Sequence, residues 1–432
     1  MKTDWYSDFV NWDYKPKKTD IICLFRFEPR KGISPAEAAG RIASESSCGT
    51  WTTLPLMPKI LPKLKAYSFH RNGNFLKVAY PLELFERGSI PGFLSGPAGN
   101  IFGMKAVKNL RLVDVQFPME YMKDFRGPNY GKEAIKKIFK RKHGPITSVV
   151  PKPKLGFSSK EHAFNVGYSV WKGGIDCIKD DENLTNQNFN KFATRVNLLA
   201  KYRDKAEKET GDVKDAFINV TASNTKEMEK RIKIIHGHDF KYFMIDVVIS
   251  GFTAVQTAAD LARDYDMAIH GHRAMHSMIT RNEKHGMTML FLAKLMRMIG
   301  VDNLHIGTVI GKLEGVEEEV VAAKDMMTSD VGEIKNLRLG QNWGNIKPAL
   351  PVSSGGLHPG LLPQVFDIYG TTDIAIQVGG GTQGHPAGAE AGARAVMQAI
   401  ESYHLGIPLS DYAKTHVELH AALGKWGFTK PI

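Results

Sequence analysis

The sequence predicts an α/β protein, a (β/α)8 barrel preceded by an N-terminal α+β domain of ferredoxin-like type, and three observations carry that expectation. Eight short β-branched runs alternate with longer amphipathic segments over about 250 residues, the pattern of strands each followed by a helix. Ionisable residues that a buried strand would not tolerate sit at the C-terminal ends of those runs, where a barrel gathers them at one mouth. The pattern changes around FPMEYMKDFRGPNYG, which divides the chain into an N-terminal domain over 1–125 and a barrel with a C-terminal helical extension over 126–432. A doubly wound open sheet is the alternative for the second part.

In the N-terminal part IICLFRF alternates like a strand. Ser34-Pro35-Ala36-Glu37 then reads as a capping box with proline at the first helical position, opening the helix PAEAAGRIASES. FLKVAYP and NLRLVDVQFP follow as strands, separated by a Gly-flanked helix near residues 92–106. The barrel strands are ITSVVPKPKL, GGIDCIKDD, DAFINVTAS, YFMIDVVIS, DMAIHGH, NLHIGTVI, ALPVSSG and DIAIQVG. Between them lie NQNFNKFATRVNLLAKYRDKAEKE, KEMEKRIKIIHG, FTAVQTAADLARDY and MTMLFLAKLMRMIG as helices. AEAGARAVMQAIESYH closes the barrel, and SDYAKTHVELHAALGKW extends it.

Composition narrows the function. With 432 residues, 43% hydrophobic and 24% charged, the chain has the make-up of a soluble globular protein, which excludes disorder, collagen-like repeats and a disulfide scaffold. The net charge of +12 admits nucleic acid, an anionic membrane or phosphorylated small molecules. Cys23, Cys48 and Cys177 lack metal or redox spacing, so a reducing cytoplasm is expected. The start has no apolar signal region, and MTMLFLAKLM is broken by Lys294 and too short to span a bilayer. The basic stretch Lys132 to Lys142 has no interleaved aromatics and reads as a solvated helix face, so no nucleic-acid or membrane partner is expected.

The strand ends carry the chemistry. Lys179-Asp180-Asp181-Glu182 ends the second strand, with Lys179 and Asp181 on one face and Glu182 joining where the chain leaves the sheet. Carboxylate oxygens suit Mg2+, and a lysine becomes an anionic oxygen ligand only after reacting with CO2 to form a carbamate. An acidic solvated turn is the plain alternative. Lys152-Pro153-Lys154 ends the first strand. Two lysines at i, i+2 depress each other's pKa, which suits one for proton transfer, although a basic surface turn gives the same pattern. His270-Gly271-His272-Arg273 follows the fifth strand. Its HxH pair stands in the wrong chain order for a zinc amidohydrolase, so His272 and Arg273 read as proton-transfer or phosphate groups and His270 as a core histidine. Lys312 lies between glycines in a loop after the sixth strand, without the spacing of a nucleotide P-loop, and reads as a mobile cation over a substrate. Ser353-Ser354-Gly355-Gly356 and Gly379 to Gly384 follow strands seven and eight, where barrels bind phosphate on backbone N–H groups. Two phosphate-like sites on one mouth imply a substrate phosphorylated at both ends.

At these residues the sequence resembles the large subunit of ribulose-1,5-bisphosphate carboxylase/oxygenase over nearly its whole length. ESSCGTWTT, GNIFGMK, KPKLG, GGIDCIKDDE, HGHRAMH, HIGTVIGKLEG, SSGGLHPG and GGGTQGHP occur in order, and SSGGLHPG and KWGFTKPI look most like the archaeal form III branch. The resemblance implies Mg2+ with CO2 as activator, held by carbamylated Lys179, Asp181 and Glu182. It implies Lys152 as acid/base group with Lys154 beside it, His272 in proton transfer, and Lys312 closing over the site. Arg273 and His305 would hold one phosphate; Ser354, Gly355, Gly356, Gln377, Gly379 and Gly380 would take a substrate hydroxyl and the other. Glu45, Thr50, Trp51 and Asn100 match residues supplied by a second subunit, which implies a homodimer with shared sites, able to join a larger ring, without small subunits. Ribulose 1,5-bisphosphate, CO2 and O2 are the implied reactants, in nucleoside salvage. Cys177, Ile306 and Val150 depart from frequent family residues, which bears on affinity and CO2/O2 discrimination. A family member that stops at enolisation is the rival reading.

Overall fold

The structure, a computed structural model, describes residues 4–52, 54–310 and 316–430. It divides into two compact units: Met1–Arg126 with Met275–Met298 and Ser329–Ile346, and Gly127–Ala274 with Ile299–Thr328 and Lys347–Ile432.

In the first unit, Ile21–Pro29 pairs antiparallel with Phe75–Tyr80 on one side and Val107–Gln116 on the other. Tyr67–Asn72 adds an antiparallel edge to Phe75–Tyr80, and Gly286–Met287 pairs parallel at the opposite edge. Tyr67–Asn72 escapes the sequence reading because it is a polar edge strand; its one buried residue, Ser68, donates to the Ala39 carbonyl at 2.8 Å. The helix Pro35–Glu45 starts as expected, with Ser34 Oγ accepting from the Glu37 N–H at 3.1 Å. Only half of the capping box forms, because the Glu37 carboxylate accepts instead from Arg41 at 2.8 Å. The expected helix over 92–106 is two short pieces, Ile90–Leu94 and a 3-10 turn at Asn100–Gly103.

The helix Met289–Ile299, expected around the barrel, belongs almost wholly to this first unit. Lys294, the charge that interrupts its apolar run, is fully buried and sits 2.6 Å from Asp114 Oδ1. Asp114 Oδ2 in turn accepts from the Leu339 N–H at 2.7 Å, so one ion pair ties three separated segments together. Removing one partner of such a pair strands the other in a dry interior. Lys294→Met is therefore expected to destabilise the protein by about 3–5 kcal/mol, read from denaturant unfolding; a loss under about 1 kcal/mol would show that the pair holds nothing.

In the second unit eight parallel strands form one sheet: Ile146–Val149, Cys177–Lys179, Asp215–Phe217, Tyr242–Asp246, Ala268–His272, Asn303–His305, Leu350–Ser354 and Ala375–Gln377. Each pairs with its sequence neighbour, and the eighth pairs with the first. A parallel bridge between Asn219 and Met244, with the Val220 N–H on the Met244 carbonyl at 2.8 Å, joins the third strand's exit to the fourth and closes the ring. Cys177, Phe217, Tyr242, Met244, Ala268, Leu350, Val352 and Ala375 fill its core, as β-branched and aromatic runs buried on both faces should.

The basic stretch Lys132 to Lys142 is not simply a solvated face. Lys132 lies 2.6 Å from Asp373, Lys136 contacts the same carboxylate, and Arg141 lies 2.6 Å from the buried Asp176. Asp176 also accepts from the Thr147 N–H at 2.9 Å. These aspartates precede strands at the opposite end of the barrel from the lysines and histidines singled out above, so this part of the charge surplus pins the barrel floor. Among the described residues no helix is long and apolar enough to cross a membrane.

Candidate active site

Parallel strands put their C-terminal ends on one rim, and here that rim is ionisable. Lys179 ends the second strand, Asp246 the fourth, His272 the fifth, His305 the sixth, Ser354 the seventh and Gln377 the eighth. Lys152 and Lys154 leave the first strand, with the Lys152 N–H on Gln383 Oε1 at 2.7 Å. Gln383 also donates to the Val150 carbonyl at 3.0 Å, fixing the exit of the first strand to the loop after the eighth. Gly379 lies so close that a Cβ there would meet Val150 Cγ1 at 2.6 Å.

Lys179 is 1% exposed. Its Nζ donates to the Asp180 carbonyl at 2.8 Å and lies 3.8 Å from Glu182 Oε2. Burial pulls its pKa below the ordinary lysine value, against the pull of Glu182 and Asp246. Burial works against the charge on Glu182 too, but Lys179 and His272 outweigh it and hold this carboxyl at about 2. Asp181 is equally buried, and its Oδ2 has no hydrogen-bond partner among the described residues.

Lys152 Nζ is 4.0 Å from Asp181 Oδ2, and Lys154 Nζ is 3.3 Å from Glu182 Oε1. The expectation that the two lysines depress each other is corrected here. Lys152 is lowered mainly by burial, with Lys154 a minor contributor, whereas Glu182 raises Lys154.

His272 Nδ1 meets Asp246 Oδ1 at 2.8 Å, and its Nε2 lies 3.7 Å from Glu182 Oε2. Burial and Lys179 lower its pKa, against Asp246. A neutral ring that donates from Nδ1 to Asp246 keeps Nε2 bare toward Glu182, although the Ala274 N–H also approaches Nδ1, at 3.2 Å. His305 is engaged on both sides: Nε2 with His270 Nε2 at 2.8 Å and Nδ1 with Ser354 Oγ at 2.7 Å. Both of its ring nitrogens therefore have protein partners. Arg273 is buried, its pKa lowered by burial to about 10, and it makes no hydrogen bond among the described residues. Gly307 lies against it; a Cβ there would meet Arg273 Nη2 at 3.4 Å.

The loop after the seventh strand turns through Gly355 and Gly356, at φ 116° and 84°, where L side chains are strained. Gln377 is buried with Oε1 unpartnered among the described residues, while a Cβ on Gly380 would meet nothing within 4 Å. Lys312 lies outside the described residues. Glu45, Thr50, Trp51 and Asn100 belong to the first unit; Trp51 is 76% exposed and Glu45 and Asn100 are exposed. Of the three departures, Cys177 and Ile306 are core residues and Val150 packs at the Gly379 position.

The sequence reading missed two carboxylates. Asp180 points away from the mouth, where Arg195 Nη2 at 3.1 Å, His162 Nε2 at 3.3 Å and the Asn219 N–H at 3.1 Å surround it. Strand alternation already placed it opposite Lys179 and Asp181, and a buried acid there demands a cation. Asp246 was signalled by an acid ending the apolar run YFMID.

Among the described residues no three His, Cys, Asp or Glu side chains converge on one point. Asp181 and Glu182 offer two oxygen donors beside an unmodified lysine, so the donor set fits a hard divalent cation once Lys179 itself becomes an oxygen ligand.

Two family models divide the chain between them: the ribulose bisphosphate carboxylase large chain N-terminal domain over residues 8–121 and the catalytic domain of the same large chain over residues 132–426. The chain belongs to the ribulose bisphosphate carboxylase large-chain family. Ribulose bisphosphate carboxylase from Pyrococcus abyssi is 47% identical, with 100% of this chain and 99% of that protein covered. The same enzyme from Archaeoglobus fulgidus is 49% identical, with 99% of each covered. The dimeric archaeal Rubisco from Hyperthermus butylicus superposes with a TM-score of 0.93 at 48% identity, covering 98% of this chain and all of that one. The octameric Rubisco of Pyrococcus horikoshii, crystallised with sulfate ion, gives 0.92 at 46%, covering 100% and 99%. The large-chain family thus matches the N-terminal mixed sheet and the eight-stranded barrel together.

Proposed function

We propose that this large chain carboxylates, and in competition oxygenates, ribulose 1,5-bisphosphate, and that it does so with Mg2+ held by a carbamate on Lys179 and by Asp181 and Glu182. The observation that carries this reading is Lys179, a lysine 1% exposed at the barrel mouth, 3.8 Å from a carboxylate. The ammonium first gives up one proton, and the neutral amine then adds to CO2 and loses a second, which replaces a buried cation by an anion. When bound, Mg2+ would polarise the substrate ketone and favour the enediolate.

The chain's own residues supply the rest. Lys152, lowered by burial, moves protons at the reacting carbons, and Lys154 stays protonated beside Glu182. His272 Nε2 is a base oriented by Asp246. Arg273, a buried guanidinium with no hydrogen bond among the described residues, takes one phosphate. Backbone N–H groups at Gly379 and Gly380, with Gly355 and Gly356, take the other, while Ser354 and Gln377 reach substrate oxygens. Lys312 closes over the developing carboxylate. Addition of water to the carboxylated product and carbon–carbon cleavage then give two 3-phosphoglycerates.

Exposed Trp51, Glu45 and Asn100, with the half-buried Thr50, suit a second copy's site, so the working unit is a homodimer, free to build larger rings without small subunits. Three free cysteines suit a cytoplasmic enzyme, and archaeal kinship favours ribulose bisphosphate drawn from nucleoside salvage.

Activation tests this reading. Preincubation with CO2 and Mg2+ should raise the initial carboxylation rate, and more so as pH rises, because only free amine reacts and burial sets the Lys179 midpoint below the solvated lysine value. A rate indifferent to preincubation contradicts the carbamate. Asp246→Asn should lower kcat by roughly 10–100-fold with a smaller change in KM, since an amide donates to Nδ1 and moves the ring proton to Nε2. An unchanged kcat would remove Asp246 from the mechanism.

A further inference from the structure

The innermost histidine of the barrel is in contact with the site through its neighbour. His270 is 0% exposed, its ring stacked on Phe217 at 4.1 Å between centroids. Its Nε2 meets His305 Nε2 at 2.8 Å, and its Nδ1 has no hydrogen-bond partner among the described residues. His305 Nδ1 meets Ser354 Oγ at 2.7 Å. Burial keeps both rings neutral, so each carries one N–H and one bare nitrogen.

Only two proton arrangements make both hydrogen bonds. In one, Ser354 donates to His305 Nδ1, His305 donates from Nε2 to His270 Nε2, and the single N–H of His270 is then on Nδ1, buried and unpaired. In the other, His270 donates from Nε2 to His305 Nε2, and His305 donates from Nδ1 to Ser354 Oγ. This second arrangement leaves only a bare nitrogen unpaired at His270. Orphaned buried N–H groups are the rarer defect in folded proteins, so the second arrangement is the stable one.

We infer that His270 is a positioning residue: by donating to His305 it fixes the tautomer of that ring, makes Ser354 an acceptor toward the protein, and so reserves the Ser354 O–H to donate to a substrate oxygen. The inference rests on the proposed role of Ser354 at the substrate. The direction of the relay, however, belongs to the folded protein alone. A serine free to rotate would spend its proton on His305 for part of the time; the relay forbids that and presents one donor of fixed sign. This also gives His305 a role although both its nitrogens are occupied.

Two measurements test it. Nitrogen-15 histidine NMR of the full-length protein without substrate should show His270 protonated at Nε2 and His305 at Nδ1. The opposite tautomers overturn the relay whatever the enzyme's activity. In carboxylation assays, His270→Phe keeps the stacked ring but loses the donor and should lower kcat/KM about tenfold, the worth of one hydrogen bond. His270→Gln, which can place an amide N–H near the lost Nε2–H, should restore it to within about threefold. Ser354→Ala added to His270→Phe should cost less than Ser354→Ala alone, because both changes remove the same donor. Equal behaviour of Phe and Gln at 270, or full additivity with Ser354→Ala, overturns the inference. Correct tautomers in a protein that shows no carboxylation would instead leave the relay standing and remove the reading on which its use depends.

Discussion

Lys179→Met is expected to lower carboxylation by about 10³-fold or more and to abolish the response to CO2 preincubation. Methionine matches the length of the lysine stem but cannot add CO2, so the third oxygen ligand never forms. Asp181 and Glu182 would keep Lys152 and Lys154 as cationic neighbours but would lose the buried charge of Lys179. The fold should survive, because Lys152, Lys154 and His272 still face the two carboxylates and limit the cost of losing one partner of a buried pair. Circular dichroism and thermal unfolding separate that outcome from collapse. A Lys179→Met protein that still carboxylates at a tenth of the wild-type rate would mean that no carbamate is needed.

Lys152→Met should cost roughly 10²–10⁴-fold in kcat, the range for loss of a positioned acid/base group. The sign of its pH dependence follows from its surroundings. Burial lowers the Lys152 pKa first, and Asp181 and Glu182 oppose that shift, so the amine becomes free at a pH below that of a solvated lysine. As pH falls through that midpoint the base is protonated and kcat should fall with it. In the methionine variant this limb should vanish from the kcat profile. Lys154 is the control: half exposed, its pKa raised by Glu182, it remains a cation throughout, and Lys154→Met should cost within about tenfold. Equal losses at both positions would mean that Lys152 acts only through its charge.

The barrel was legible because parallel strands buried on both faces leave a signature that little else produces: apolar runs ending abruptly in charge. Lys179, Asp181, His272 and Ser354 are read that way, each from its place at the end of a run. What escaped depends on partners far away in sequence. Lys294 looked like a defect in a barrel helix until Asp114, on an inner strand of the first unit's sheet, explained it. Lys132 and Lys136 looked solvated, but Asp373 lies more than two hundred residues on. Local pattern likewise said only that His270 is buried. That its ring nitrogen touches His305 is a property of the closed barrel, in which the fifth and sixth strands are neighbours.

The central claim is that this mouth joins CO2 to ribulose 1,5-bisphosphate. It is tested most directly by incubating the CO2- and Mg2+-activated protein with the bisphosphate and 14C-labelled CO2, then identifying the labelled product. The expected result is two 3-phosphoglycerates per bisphosphate consumed, one of them carrying the label in its carboxylate, and no label with Lys179→Met. Consumption of the bisphosphate with no label in 3-phosphoglycerate would place the protein among enzymes that stop at enolisation and would rule out carboxylation at this mouth.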